Sequence, residues 1–174
     1  MKKIINWQIA GFVFTAMIGT FFHFLFDLTN ESVVAAFISP VNESIWEHTK
    51  LLFFPMFLFA LFEYGFWGQE YAKFWCIKLK GIVIGITLIP ALYYTYSGII
   101  GKSVDWFNIV IFFVVVGAVY FIETKMFLEN KRCRIPSEYA FVMLCIIGIV
   151  FFVFTFYPPN IPLFQDPISK TYGF

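Results

Sequence analysis

The residues best suited to chemistry in this sequence are its two histidines, because both lie close to carboxylates. His23 is followed four residues later by Asp27, and His48 directly follows Glu47 and comes five residues after Glu43. Neutral imidazoles and carboxylates bind divalent metals, and a metal held by three protein ligands keeps a position open for water. Placed near a membrane, the same groups could instead carry a proton or another cation.

The metal hypothesis takes His23 and His48 as ligands, with Asp27 or Glu47 as the carboxylate, and a divalent metal is the one cofactor it implies. No histidine pair has the His-Glu-x-x-His spacing of a single-helix zinc site, so the metal remains one hypothesis among several. No catalytic residue can be assigned. Further ligand-binding candidates are polar residues expected at the same membrane face: Asn42, Glu43, Tyr94 and Asp105.

Three interpretations of the cluster stay open. It could be a structural network, in which Lys50 pairs with Glu43 or Glu47 and Asp27 holds one ring nitrogen of His23. It could be a metal or cation site that serves a metal-dependent membrane hydrolase acting on a lipid or peptide, which is our leading hypothesis. It could also belong to a transporter of a small solute, an ion or a proton.

Composition indicates that these residues are positioned by helices in a lipid bilayer. Hydrophobic residues make up 60% of the chain, charged residues 13%, and phenylalanine occurs 26 times. A typical soluble domain has about 45–50% apolar and about 25% charged residues. A cytosolic enzyme, a disordered tail and a disulfide-stapled secreted domain are therefore excluded. The net charge of +1 provides no field for nucleic acid.

The expected fold is all-α: one domain over residues 1–174, built as a bundle of five transmembrane helices in the cell membrane. The apolar spans are 4–28, 51–68, 81–101, 106–122 and 139–157, and a tail follows at 158–174. Ser39 and Pro40 match an N-cap and a first helical residue, which predicts that the second helix begins at residue 40. Glu63 is expected to pair with a lysine at the far end of the bundle. The apolar side chains of the tail predict that it folds back over the polar cluster.

Basic residues predict the orientation. Nine of the twelve lysines and arginines fall on the side of the N-terminus, which places that terminus in the cytoplasm and the C-terminus and both histidines outside. Cys76 and Cys133 then face a reducing compartment, so no disulfide is expected. The nine residues are Lys2, Lys3, Lys73, Lys78, Lys80, Lys125, Lys131, Arg132 and Arg134.

Two long motifs carry a family resemblance. They are SPVNESIWEHTK at residues 39–50 and YPPNIPLFQDP at residues 157–167. On these motifs the chain resembles, over its full length, a family of small bacterial polytopic membrane proteins known only as a domain of unknown function. The resemblance implies a bacterial multi-pass membrane protein, and it implies no activity, substrate or catalytic residue.

Overall fold

The computed structural model describes residues 2–129 and 133–174, and this part of the chain is helical, with no strand beyond an isolated bridge between Gln165 and Tyr172. Five of its six α-helices are long and apolar enough to cross a membrane. The short helix α2 lies between the first two of them. The helices are α1 (Lys2–Leu28), α2 (Val33–Ala36), α3 (Ile45–Phe66), α4 (Phe74–Ile100), α5 (Asp105–Leu128) and α6 (Ser137–Phe156).

Two helices extend beyond the spans that hydrophobicity predicts. Helix α4 begins at Phe74 rather than at residue 81, and α5 ends at Leu128 rather than at residue 122. The added turns contain Lys78 and Glu123, whose charges interrupt the apolar runs. Lys78 forms ion pairs with both Glu63 and Glu123, so these charges are buried inside the bundle. The expected pairing of Glu63 with a lysine at this end is thereby confirmed.

The predicted start of the second long helix at Pro40 was wrong. Helix α3 begins at Ile45, and its N-cap is Ser44, whose hydroxyl accepts a hydrogen bond from the Glu47 amide at 3.4 Å. Ser39 instead holds α1, because its hydroxyl donates to the Phe22 carbonyl at 2.6 Å and accepts from the Phe26 amide at 3.1 Å. A buried serine that serves another helix cannot cap its own.

The two histidines lie near the point where α1 and α3 are in close contact. At Gly19, a Cβ atom would lie 2.6 Å from the Leu51 carbonyl oxygen, so only glycine allows this approach. His23 lies one turn beyond Gly19, and His48 lies just before Leu51 on the antiparallel neighbour. The missing side chain of Gly19 therefore brings both imidazoles to one end of the bundle, which we call the histidine end.

The C-terminal tail folds back over the histidine end, which confirms the prediction for it. The Phe174 amide donates to the Thr155 carbonyl at 2.9 Å, and the Asn42 amide nitrogen Nδ2 donates to the Gly173 carbonyl at 3.1 Å. Phe164 is buried, with its ring centroid 4.9 Å from that of Trp46. Backbone hydrogen bonds and aromatic packing together hold the tail in place.

The expectation that no disulfide forms was wrong for the pair at the opposite end. Cys76 and Cys133 are joined by a disulfide, with Cα atoms 6.3 Å apart. The sequence argument rested on the compartment alone, whereas the structure places Cys133 beside Cys76 at the start of α4. Of the basic residues used to predict orientation, Lys131 and Arg132 lie outside the described residues.

Candidate functional site

Three metal-ligating side chains converge at the histidine end: His23 from α1, His48 from α3 and Glu43 from the loop before α3. Their ligand atoms all lie within 4.8 Å of one another. The two Nε2 atoms are 3.3 Å apart, and His48 Nε2 is 3.4 Å from Glu43 Oε2. We call this set the His–Glu triad.

A backbone carbonyl orients the ring of His48. Its Nδ1 atom lies 2.9 Å from the carbonyl oxygen of Ser44, one helical turn earlier. A carbonyl only accepts hydrogen bonds, so Nδ1 carries the hydrogen. In the neutral ring the Nε2 lone pair would be available to a metal, whereas a hydrogen bond from Nε2 to the Glu43 carboxylate needs a second hydrogen on the ring. Metal-bound histidines characteristically donate their second ring N–H to such an acceptor.

The loop that carries Glu43 is held from both sides. The Asn42 side-chain oxygen accepts from the Ser44 amide at 2.9 Å, which closes a local turn, while its amide nitrogen holds the tail. The hydrogen bond with His48 lowers the pKa of the Glu43 carboxyl below its ordinary value, although partial burial acts in the opposite direction. Glu43 is therefore the ionised partner of the two imidazoles.

The spacing of the triad fits a tetrahedral divalent metal. Ligands that bind zinc at about 2.0–2.1 Å in tetrahedral geometry lie about 3.3–3.4 Å from one another. Two of the three separations within the triad, 3.3 Å and 3.4 Å, match this spacing, and the ligand atoms of all three residues lie within 4.8 Å. Two histidines and one glutamate form a donor set of the catalytic zinc type, which keeps its fourth position for water or substrate.

Glu47 has a structural role in this geometry, although the sequence made it a candidate ligand. Its Oε2 atom lies 2.6 Å from Lys50 Nζ and accepts from the Val41 amide at 3.1 Å, and its Oε1 atom accepts from the Thr155 hydroxyl at 3.2 Å. Lys50 also donates to the carbonyl of Ala36, at 2.9 Å. The expected pairing of Lys50 with Glu47 is confirmed, and this buried pair joins the loop, α3 and α6.

Asp27 does not hold His23, which corrects the expected pairing. Its side chain is exposed at the end of α1, and in the described part of the chain no hydrogen bond joins it to the histidine. His23 turns toward His48 instead, because α3 lies in close contact with this face of α1. The carboxylate nearest the two histidines is Glu43.

A cavity of about 240 Å³ adjoins the triad, and Glu43 and His48 form part of its wall. Helix α5 contributes Asp105, which the sequence proposed, and the tail closes one side with Pro167 and Ile168. Tyr94 is exposed and does not line this cavity, and its neighbour Tyr93 does. The remaining wall is mainly aliphatic, so a metal at the triad would face a small, mostly apolar chamber.

Sequence analysis did not select two polar residues of the cavity, Ser103 and Asn108. The Tyr96 hydroxyl donates to Asn108 Oδ1, and Asn108 Nδ2 donates to the Ser103 hydroxyl at 3.1 Å. This network fixes the turn between α4 and α5. The hydroxyl and amide residues beside Asp105 were a sequence signal for this network. The signal is unspecific, because polar residues are expected in any turn between two helices.

Comparison with known proteins gives a family and no nearer relative. No curated protein and no solved structure matches the chain. The model of the family of unknown function DUF6512 matches residues 1–174, and the chain therefore belongs to that family.

Proposed function

We propose that this protein is a metal-dependent membrane hydrolase whose divalent metal, of the zinc class, is held by His23, His48 and Glu43. The observation that carries the proposal is the convergence of three ligand atoms within 4.8 Å, with His48 oriented by a backbone carbonyl. Bound zinc would supply a water acidic enough to act as a nucleophile near neutral pH.

The structural alternative accounts less well for the triad than for its neighbours. Glu47 and Lys50 already join the loop, α3 and α6 through a buried ion pair. The triad adds two half-buried imidazoles with nitrogen atoms 3.3 Å apart, an arrangement in which at most one hydrogen bond can form. One metal ion would give both nitrogens and the carboxylate a common partner.

The cavity supports a substrate that combines a small polar group with an apolar chain. Its volume of about 240 Å³ is below the about 300–1,000 Å³ of a typical drug-sized pocket, so it suits one functional group rather than a whole large molecule. Asp105 and Tyr93 can bind the polar part, while the aliphatic wall accepts hydrocarbon. An ester or amide bond of a lipid or an apolar peptide is the substrate class that fits.

The topology forms part of the proposal. Lys78 and Lys50 are buried in ion pairs, so they are left out of the count of basic residues on the two sides of the membrane. Of the remaining lysines and arginines, eight lie on the side of the N-terminus and two on the other side. The proposed protein is a single domain in a bacterial cell membrane, and this asymmetry supports a cytoplasmic N-terminus with the triad facing outward. The Cys76–Cys133 disulfide at the N-terminal end is the observation against this orientation, since disulfides are typical of oxidising compartments.

Metal analysis of the purified protein tests the proposal. The protein is stripped with a chelator, reloaded with zinc or manganese, and freed of excess metal before elemental analysis. We expect one metal ion per chain in the wild type and its loss in His23→Ala, His48→Ala and Glu43→Gln. Asp27→Asn is the matched control, because Asp27 is a nearby carboxylate outside the triad, and it should bind metal normally. Absence of metal from reloaded, folded wild type would refute the hydrolase.

Transport is the second candidate, and one observation favours it. Glu63, Lys78 and Glu123 place three charges inside the spanning helices, where charged groups commonly lie on ion or proton pathways. Flux of protons or small cations into proteoliposomes, compared with the same vesicles bearing Glu123→Gln, tests this alternative.

A further inference from the structure

A second polar cluster lies inside the bundle at the end opposite the histidines. It consists of Glu63 from α3, Lys78 from α4, Glu123 from α5 and Gln8 from α1, and we call it the buried acid cluster. His48 and Glu63 are fifteen residues apart on α3, so at about 1.5 Å per residue the two clusters are separated by about 22 Å. The buried acid cluster is therefore independent of the proposed metal site.

One lysine serves two carboxylates in this cluster. Lys78 Nζ lies 2.8 Å from Glu123 Oε2 and also forms an ion pair with Glu63, and all three side chains are at most 1% exposed. With every group ionised, the cluster would hold one uncompensated negative charge. An unpaired charge is unfavourable in such surroundings, and buried groups avoid this cost by changing their protonation. The Glu47–Lys50 pair, by contrast, has one carboxylate for one ammonium.

Two buried oxygen atoms in the cluster also lack a partner among the described residues. They are Glu123 Oε1 and Gln8 Oε1, and both residues are at most 2% exposed. Glu123 Oε1 packs against Gly81, where a Cβ atom would overlap it, and Gln8 Nε2 donates to Glu63 Oε1 at 3.1 Å. Each of these oxygen atoms has two lone pairs, so the cluster has more acceptor sites than hydrogens, a deficit that one added proton reduces.

We propose that the buried acid cluster binds one exchangeable proton from solvent, held by Glu63 or Glu123 while the other carboxylate remains ionised beside Lys78. Binding forms one O–H bond on a carboxylate oxygen and changes no other covalent bond. With this proton the cluster is neutral: one carboxylic acid, one carboxylate and one ammonium. The site is a proton-binding site within the membrane-spanning bundle.

Among the described residues, no ion pair joins the two carboxylates of the cluster to a charged group other than Lys78. Helix α5 contributes the hydroxyl of Tyr120, which is bonded to Thr15 of α1 at 2.8 Å. Helix α6 carries the titratable residues Glu138, Tyr139 and Cys145, and no hydrogen bond or ion pair joins them to the cluster. Lys3 of α1 lies 4.0 Å from Glu70 in an exposed pair at the end of the bundle.

Gln8 lies between the buried acid cluster and a groove on the surface of the bundle. It lines a groove of about 340 Å³ between α1 and α5, together with Tyr120 and Thr124. Its amide is also hydrogen-bonded to Glu63. The Gln8 side chain therefore lies between Glu63 and this groove on the surface of the bundle.

Infrared spectroscopy of the protein in lipid tests the proposal, because a protonated carboxylic acid has a C=O band separate from that of a carboxylate. At neutral pH we expect wild type to show the band of one carboxylic acid, and we expect that band to shift in D₂O. The band should disappear in Glu123→Gln and in Glu63→Gln, since the remaining carboxylate then has Lys78 to itself. In Lys78→Met it should roughly double, because neither acid then has a counter-ion.

Glu47→Gln is the matched control, since Glu47 is an equally buried carboxylate with its own lysine, and it should leave the band unchanged. The measurement on wild type does not depend on any variant folding. Absence of a carboxylic acid band from wild type, or a band that does not shift in D₂O, would overturn the proposal. A band that disappears on adding sodium at constant pH would show that a metal cation, and not a proton, balances the cluster, which also overturns it.

Discussion

The close approach at Gly19 makes the metal site sensitive to a single methyl group that touches neither histidine. In Gly19→Ala the new Cβ would lie 2.6 Å from the Leu51 carbonyl oxygen, whereas ordinary contacts begin at 3.4 Å. The obstacle is backbone, so it cannot rotate away. Helices α1 and α3 must therefore move apart by about 0.8 Å at this level.

A displacement of this size exceeds what a metal site tolerates, because ligand distances must stay within about 0.2 Å of their ideal values. His23 lies one turn from Gly19, so it is the ligand that is lost, while Glu43 and His48 remain together on the other side. By analogy with groups that position metal ligands, whose mutation costs about 10–100-fold in affinity, we expect Gly19→Ala to weaken zinc binding by about that factor. His23→Ala should weaken it at least as much.

Competition with a chromophoric zinc chelator measures this affinity in detergent-solubilised protein. Gly65→Ala is the matched control, because a Cβ at that position of α3 meets nothing within 4 Å. Circular dichroism and size-exclusion chromatography establish that each variant remains helical and dispersed. If folded Gly19→Ala binds zinc as tightly as wild type, the argument that helix contact sets the separation of the histidines fails.

Three further predictions concern stability and topology. Lys50→Met leaves the carboxylate of Glu47 buried without its counter-ion, so the free energy of unfolding in detergent should fall by about 3–5 kcal/mol. Replacing both Lys50 and Glu47 by apolar residues should restore most of that loss. The pKa of Glu43 is lowered in the folded protein, so its carboxylate stabilises the fold above the ordinary carboxyl pKa. This stabilisation is lost as pH falls through the lowered pKa. The free energy of unfolding, measured against pH, should therefore fall less steeply at acid pH in Glu43→Gln than in wild type. If the basic residues set the orientation, a membrane-impermeant thiol reagent added to intact cells should label a cysteine introduced at Lys102 and spare one introduced at Lys73, each in a cysteine-free variant; the reverse pattern would overturn the orientation.

The candidate site was predictable in its residue types and its place, but not in its partners. Two histidines and several carboxylates near adjoining span ends indicated one polar layer, and the structure places His23 beside His48 there. The choice of carboxylate could not be made from sequence. Asp27 has the better helical spacing to His23, yet it is exposed, and Glu43 reaches the histidines from a loop whose path depends on Asn42 and the C-terminal tail.

The chain's own composition and hydrophobic runs determined the class of fold: five long apolar helices, with a tail apolar enough to pack against them. Local hydrophobicity could not place Lys78 and Glu123, because a charge interrupts an apolar run whether it faces water or a partner on another helix. Only the tertiary structure decided that these charges are buried with Glu63, that Cys133 returns to Cys76, and that Ser44 rather than Ser39 caps α3. The physical reason is common to all three cases. The energy of a charge, a thiol or a hydroxyl depends on the group it meets, and in this chain that group lies on another helix or loop.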